Sequence, residues 1–126
     1  MVSWQEFEQA EPEFAGRVRV LFEARRHKTI ATLRADGSPR VSGIETEFAE
    51  GHLRFGSMPR ARKGADLHRD QRFALHCTSD DPPHGEERSW PGDAKISGRA
   101  VRAGALTEGP EGEQFHADIS EAVLRL

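Results

Sequence analysis

Asp36-Gly37, set between two short runs of strand character, restricts the fold of this chain more than any other feature. Residues 29–33 (TIATL) are apolar and partly β-branched, which suits a strand. Residues 40–48 (RVSGIETEF) form a second strand, in which Val41, Gly43, Glu45 and Glu47 face one way and Ser42, Ile44, Thr46 and Phe48 the other. Asp-Gly between two such runs is among the strongest short-range signals for a hairpin. Pro39 opens the second run, where a missing ladder donor costs little. Glu50-Gly51 makes the next turn, and Leu53 and Phe55 alternate with Arg54 in a third strand.

The remaining segments extend this pattern. Ser3 and Glu6 have capping-box spacing for a short first helix, and Pro12 suits the first turn of a second. In that second helix Phe14, Val18, Leu21 and Phe22 form one apolar stripe. A short helix holding Ala65 and Leu67 ends at Asp70, and residues 73–78 read as a strand. Residues 79–93 are a long charged loop with one large apolar side chain, Trp90, which suits packing on the barrel, capping a ligand or meeting a partner subunit. Residues 94–101 are a strand in which Gly98 marks a bend or a close backbone approach, and 108–113 are a polar connection. The tail has two readings. Ile119, Ala122, Val123 and Leu126 suit a helix, whereas Asp118, Ser120, Ala122, Leu124 and Leu126 share one strand face. Short strands joined by hairpins, with one inserted helix, predict an antiparallel barrel rather than a doubly wound sheet.

A length of 126 residues fits one domain over residues 1–126. Apolar residues make up 36% and charged residues 31%, a thin core for a lone copy that favours burial against a second one. The net charge of −3 argues against nucleic acid as the main partner. Cys77 is the only cysteine, which excludes an intrachain disulfide and suits a reducing compartment. No signal peptide and no apolar run of roughly 20 residues is present, so the expectation is a cytoplasmic protein with no membrane partner.

Charge is unevenly spread. Between Met58 and Arg72 five basic residues (Arg60, Arg62, Lys63, Arg69, Arg72) meet two acidic ones (Asp66, Asp70), on a chain that is acidic overall. Arg60, Arg62 and Lys63 fall at the mouth of the short helix, where unpaired N–H groups and the helix dipole favour a phosphate. A solvated helix face is the plainer reading of the same residues. Elsewhere there is no G-x-S-x-G, H-E-x-x-H, Walker loop or G-x-G-x-x-G. The six histidines form no close pair at metal-binding spacing, and His76 and Cys77, adjacent on a strand, point to opposite faces. No side chains are marked as catalytic, so any enzyme chemistry falls to a bound cofactor.

Four segments in order, ATLRADGSPRVSGI (31–44), GHLRFGS (51–57), ARKGADLHRDQRFAL (61–75) and KISGRAV (95–101), resemble the FMN-binding split-barrel family typified by pyridoxamine 5′-phosphate oxidase. The resemblance implies a mainly β, six-stranded antiparallel split barrel with an N-terminal helix. It also implies a homodimer with the cofactor site at the interface. Carried over by position, Arg40, Val41 and Ser42 lie along the flavin ring and ribityl chain, Phe55, Gly56 and Ser57 line the other side, and Arg62 and Lys63 grip the phosphate. The activity implied is a flavin-dependent oxidoreductase exchanging hydride through flavin N5 with an unidentified small molecule. The alternatives are a deazaflavin-dependent reductase on the same fold, or a non-catalytic flavin-binding or sensing dimer. The last is favoured by Ala61 and Gly56, where the family often has Ser and Thr.

Overall fold

The computed structural model describes residues 1–105 and 112–126. The elements run α1 (Trp4–Ala10), α2 (Pro12–Ala24), β1 (His27–Leu33), β2 (Pro39–Ala49), β3 (His52–Ser57), α3 (Arg62–Arg69), β4 (Arg72–Cys77), β5 (Asp93–Ala105) and β6 (Glu113–Arg125). A single 3-10 turn, Glu87–Ser89, interrupts the loop before β5. The strands close into a barrel in the order β1-β2-β3-β6-β5-β4, with every neighbour antiparallel. The mainly β barrel expected from the hairpins is therefore the fold. Most of the connection expected over 108–113 lies outside the described residues.

Both predicted hairpins form, each with its own turn chemistry. Between β1 and β2, Gly37 N donates to Arg34 O (2.9 Å) and Arg34 N to Ser38 O (2.8 Å). Asp36 Oδ1 accepts from Ser38 N (2.9 Å) and Ser38 Oγ (2.6 Å), and Gly37 closes the loop at φ 85°. This is the three-residue loop in which a left-handed residue follows a type I turn. Between β2 and β3, Glu50 (φ 53°) and Gly51 (φ 81°) are both left-handed, as a two-residue type I′ turn requires.

The helices pack on the barrel through aromatic side chains. The capping box is present, with Ser3 Oγ accepting from Glu6 N (3.2 Å) and Glu6 Oε1 from Ser3 N (3.0 Å). Trp4, 2% exposed, packs at a tilt against Phe48 of β2 with ring centroids 4.6 Å apart, and Phe22 of α2 meets the same ring edge-on. Ala15, Val18, Leu21 and Phe22 are the buried stripe of α2. Buried Lys28 donates Nζ to the carbonyls of Arg25 (2.6 Å) and Arg26 (3.1 Å), satisfying acceptors just past the end of that helix. Cys77 is buried in β4 with its Sγ 3.6 Å from Ala94 O, and burial pushes its thiol pKa up. Trp90 lies under the Arg125 guanidinium (5.2 Å), which in turn holds buried Asp93 (2.8 Å).

The tail is a strand, and a bulge explains its ambiguous pattern. Phe115, Ala117 and Ile119 are buried at odd positions, whereas Ala122 and Leu124 are the half-buried residues further on. The register with β5 slips between Ser97↔Glu121 and Gly98↔Ile119, leaving Ser120 as the extra residue with its hydroxyl on Ser97 O (3.1 Å). One inserted residue moves every later side chain to the other face. Beside the bulge the backbone of Ile119 exchanges two hydrogen bonds with Val2 (2.9 and 2.7 Å).

Gly98 is required at that bulge, because a Cβ there would overlap the Asp118 carbonyl oxygen and lie 3.0 Å from Ile119 Cα. Gly98→Ala is expected to cost about 1–3 kcal/mol in urea denaturation. Gly16, inside α2 with nothing near its missing Cβ, is the control. Gly16→Ala should instead raise stability by about 0.5–1 kcal/mol.

Candidate functional site

The barrel opens where β2 leaves β3. The first part of β2 pairs with β1, from Leu33↔Pro39 to His27↔Glu45. The rest pairs with β3, from Ala49↔His52 beside the turn to Thr46↔Phe55, where the ladder stops. Continuing the register would set Glu45 against Gly56 and Ile44 against Ser57, but these are not paired. On its other edge β3 stays paired with β6, from Arg54↔His116 to Ser57↔Glu113. The divergence leaves a cleft of about 840 Å³, within the range of about 300–1,000 Å³ common for small-molecule sites. Arg54 closes one end by donating Nη2 (2.6 Å) and Nε (3.1 Å) to Glu47 Oε1. On the β1 side His27 Nδ1 sits 3.9 Å from Glu45 Oε1, with Arg26 beside it.

Lys63 brings the basic turn into the cleft lining. The turn itself runs through Pro59 and Arg60, with Ala61 N donating to Met58 O (3.1 Å) and Arg60 at φ 66°. Proline followed by a left-handed residue is the type II pattern, with arginine where glycine is usual. Two of the five cations are consumed locally. Arg69 holds Asp66 (2.9 Å), and Arg72 holds Asp70 (2.7 Å), whose carboxyl its hydrogen bonds lower to about 2. Among the described residues Arg60, Arg62 and Lys63 have no ion-pair partner. Arg60 precedes α3 and Arg62 and Lys63 open its first turn; Ala61 at the N-cap supplies no side-chain acceptor, so no side chain caps the first N–H groups. Of these cations Lys63 lines the cleft, whereas Arg60 lines a neighbouring depression with Ala61 and Gly64 of the helix start, and Ser57 and Met58 border both.

Asp66 fixes where that helix lies. Its side chain is 3% exposed, and Oδ2 accepts from Thr32 Oγ1 of β1 (2.7 Å) and Arg40 Nε of β2 (2.7 Å) while Oδ1 accepts from Arg69. A second contact presses the helix on β3, because a Cβ on Gly64 would overlap Ser57 Oγ. Burial pushes the Asp66 pKa up, but the hydrogen bonds from Arg40, Thr32 and Arg69 outweigh it, and the net shift is downward. Asp93 and Glu113 are lowered in the same way, against burial, by Arg125 with His76 and by Arg102 with His68.

The residues expected from the sequence divide into two groups. Phe55, Gly56, Ser57 and Lys63 line the cleft. Arg62 is exposed on the first turn of α3, beside the lining rather than in it. Arg40 is half-buried with its Nε on Asp66, Ser42 is half-buried on the inner face of β2, and Val41 is 71% exposed on the outer face. The β2 wall is made further along, by Gly43 to Glu47, and Gln114 of β6 completes the far side at 8% exposure. Val41, Gly43, Glu45 and Glu47 share one face of the predicted strand, a signal that would have extended the wall. Gln114 and the His27 side depend on pairings between distant segments and have no local signal. Among the described residues no cluster of three or more His, Cys, Asp or Glu side chains suits a metal, and no helix is long and apolar enough to cross a membrane.

Asp66→Ala is expected to cost about 2–4 kcal/mol, since it removes the buried acceptor that Thr32, half-buried Arg40 and Arg69 share, as thermal or denaturant unfolding would show. The depressed folded pKa gives the sign with pH. The contribution of Asp66 is full above the ordinary carboxylate range and is lost as pH falls through that range and below it. Stability measured from about pH 6 to about pH 3 should therefore fall on the acid side, and less steeply in Asp66→Asn.

No protein-family model and no curated protein matches the chain. Solved structures do. The heme storage protein HutZ from Vibrio cholerae superposes with a TM-score of 0.68 at 13% identity, covering 91% of this chain and 94% of that one. An F420 reductase gives 0.62 at 16% identity, covering 83% and 94%. A Listeria innocua protein assigned as a pyridoxamine 5′-phosphate oxidase gives 0.67 at 10% identity, covering 86% and 95%. At these identities the likeness is one of fold, and it identifies the chain as a split barrel of the architecture shared by pyridoxamine 5′-phosphate oxidase-like proteins.

Proposed function

We propose that the cleft between β2 and β3 holds FMN, and that the chain is a flavin-dependent oxidoreductase acting on a small molecule as a homodimer with the cofactor site at the interface. The observation that carries this reading is Lys63 lining a cleft of ligand size, with Arg62 beside it on the uncapped first turn of α3 and, among the described residues, no ion-pair partner for either. A phosphate suits that end on two counts. Lys63 and Arg62 offer charge and hydrogen-bond donors, and the first N–H groups of α3 need acceptors. The other residues fit a flat ring with a polar edge. Phe55 keeps its side chain in the core, Gly56 adds no bulk, and the strand edges that stop pairing beyond Thr46 and Phe55 leave backbone donors and acceptors free.

When bound, FMN supplies hydride exchange at N5 of its ring. The residues of this chain hold and orient it. Lys63, with Arg62 beside it, fixes the phosphate end. Asp66 fixes the helix that carries both and holds Arg40 by its Nε. Val41 and Met58, 71% and 49% exposed beside the cleft, are apolar surface that a second copy would cover. The buried single thiol of Cys77 suits the cytoplasm. A second reading, a deazaflavin coenzyme in the same place, draws support from the fold likeness to an F420 reductase.

An absorbance spectrum of the purified protein, followed by titration with FMN, riboflavin and the deazaflavin coenzyme, separates these readings. Arg62→Ala with Lys63→Ala should weaken FMN by a few kcal/mol, taking about 1.5–3 kcal/mol per hydrogen bond to a charged group, and leave riboflavin binding and the melting temperature nearly unchanged. Equal FMN affinity in the double variant would remove the phosphate assignment. Sedimentation at micromolar concentration should show a dimer, and a monomer would count against an interface site.

A further inference from the structure

Gly43 is a glycine that the fold does not need. It lies inside β2, paired with Thr29 of β1 in a regular antiparallel ladder. Its φ is not in the left-handed region, so its backbone suits any residue. Nothing lies within 4 Å of where its Cβ would be, so no neighbouring atom excludes a side chain. A glycine in such a place weakens the strand, since it adds backbone entropy to the unfolded chain and packs nothing.

What Gly43 does face is the cleft. It is a gap on the outer face of β2 between the full-size side chains of Val41 and Glu45. Across the opening Gly56 of β3 is likewise a strand glycine without positive φ, and it too lines the cleft. Where the two strands part, each therefore offers bare backbone. The Glu47–Arg54 ion pair bounds this bare strip at one end, and Lys63 lines the cleft with it.

We infer that Gly43 is a specificity-determining residue, the slot in which one face of a planar conjugated ring lies against the β2 backbone, and that its missing side chain sets the thickness of ligand admitted. The inference rests on the coenzyme reading above for the identity of the ring. It adds a residue whose stability and binding effects have opposite signs. A β-branched side chain at this position favours the strand and fills the slot. A structural glycine would show both effects with the same sign.

The test compares wild type, Gly43→Ala and Gly43→Val, measuring the ligand-free melting temperature and the FMN dissociation constant by flavin fluorescence. The expected result is a melting temperature for Gly43→Val equal to or above that of wild type. Its FMN affinity should be at least about tenfold weaker, with Gly43→Ala in between. Wild-type affinity in Gly43→Val overturns the inference. So does a lowered ligand-free melting temperature, because the glycine then serves the fold. If the wild type itself does not bind FMN, the coenzyme reading fails separately, and the same comparison is made with anilinonaphthalene sulfonate, a planar aromatic anion. Selective loss of that dye from a folded Gly43→Val protein supports the slot, and undiminished dye binding overturns it.

Discussion

The ion pair network of Asp66 governs how the pieces of this protein meet. A carboxylate almost wholly removed from water is tolerable only when several donors converge on it, and here Thr32, Arg40 and Arg69 do so from three elements. The network joins the first hairpin to α3. Because a half-satisfied network would be costly, the helix is held in one seat, and its N-terminus inherits that precision. The two charges next along, Arg62 and Lys63, need no such partner. A division of labour follows within one short segment, with Asp66 and Arg69 committed to the fold and the residues before them left to solvent or ligand.

The cleft arises from a shortage of pairing, not from an added element. β2 is eleven residues long and serves two partners in succession, so neither β1 nor β3 matches it over its whole length. In most barrels such an interruption would expose a reactive edge. Here both diverging strands are shielded elsewhere, β2 by β1 and β3 by β6, so that only their facing edges are bare. This geometry offers a flat molecule backbone groups on two sides without disturbing closure of the barrel.

Much of the architecture was legible locally. The turns at Asp36-Gly37 and Glu50-Gly51, the capping box at Ser3 and the alternation of β2 are each written in adjacent residues, and each is found. What resisted reading depends on partners far away. The tail from Phe115 carries two incompatible periodicities because Ser120 is an inserted residue, and a bulge has no signature of its own in the strand that contains it. In β1 the buried positions are Lys28, Ile30 and Thr32, two of them polar, which only the α2 carbonyls and Asp66 explain. Arg40 reads as a ligand-binding cation by resemblance, while its nearest partner, Asp66, lies 26 positions away in sequence. The basic turn was legible as charge, but which cations remain unpaired was not, since that depends on side-chain geometry at Asp66 and Asp70.

The lone cysteine gives this barrel an internal clock. Cys77 is 1% exposed on β4, a strand enclosed between β1 and β5, and its thiol is both shielded from reagents and held in the unreactive protonated form. Any alkylating reagent must wait for those strands to separate. At reagent concentrations high enough for modification to outpace reclosing, the rate at which this single thiol is modified becomes a count of openings around β4, free of interference from any second sulfhydryl.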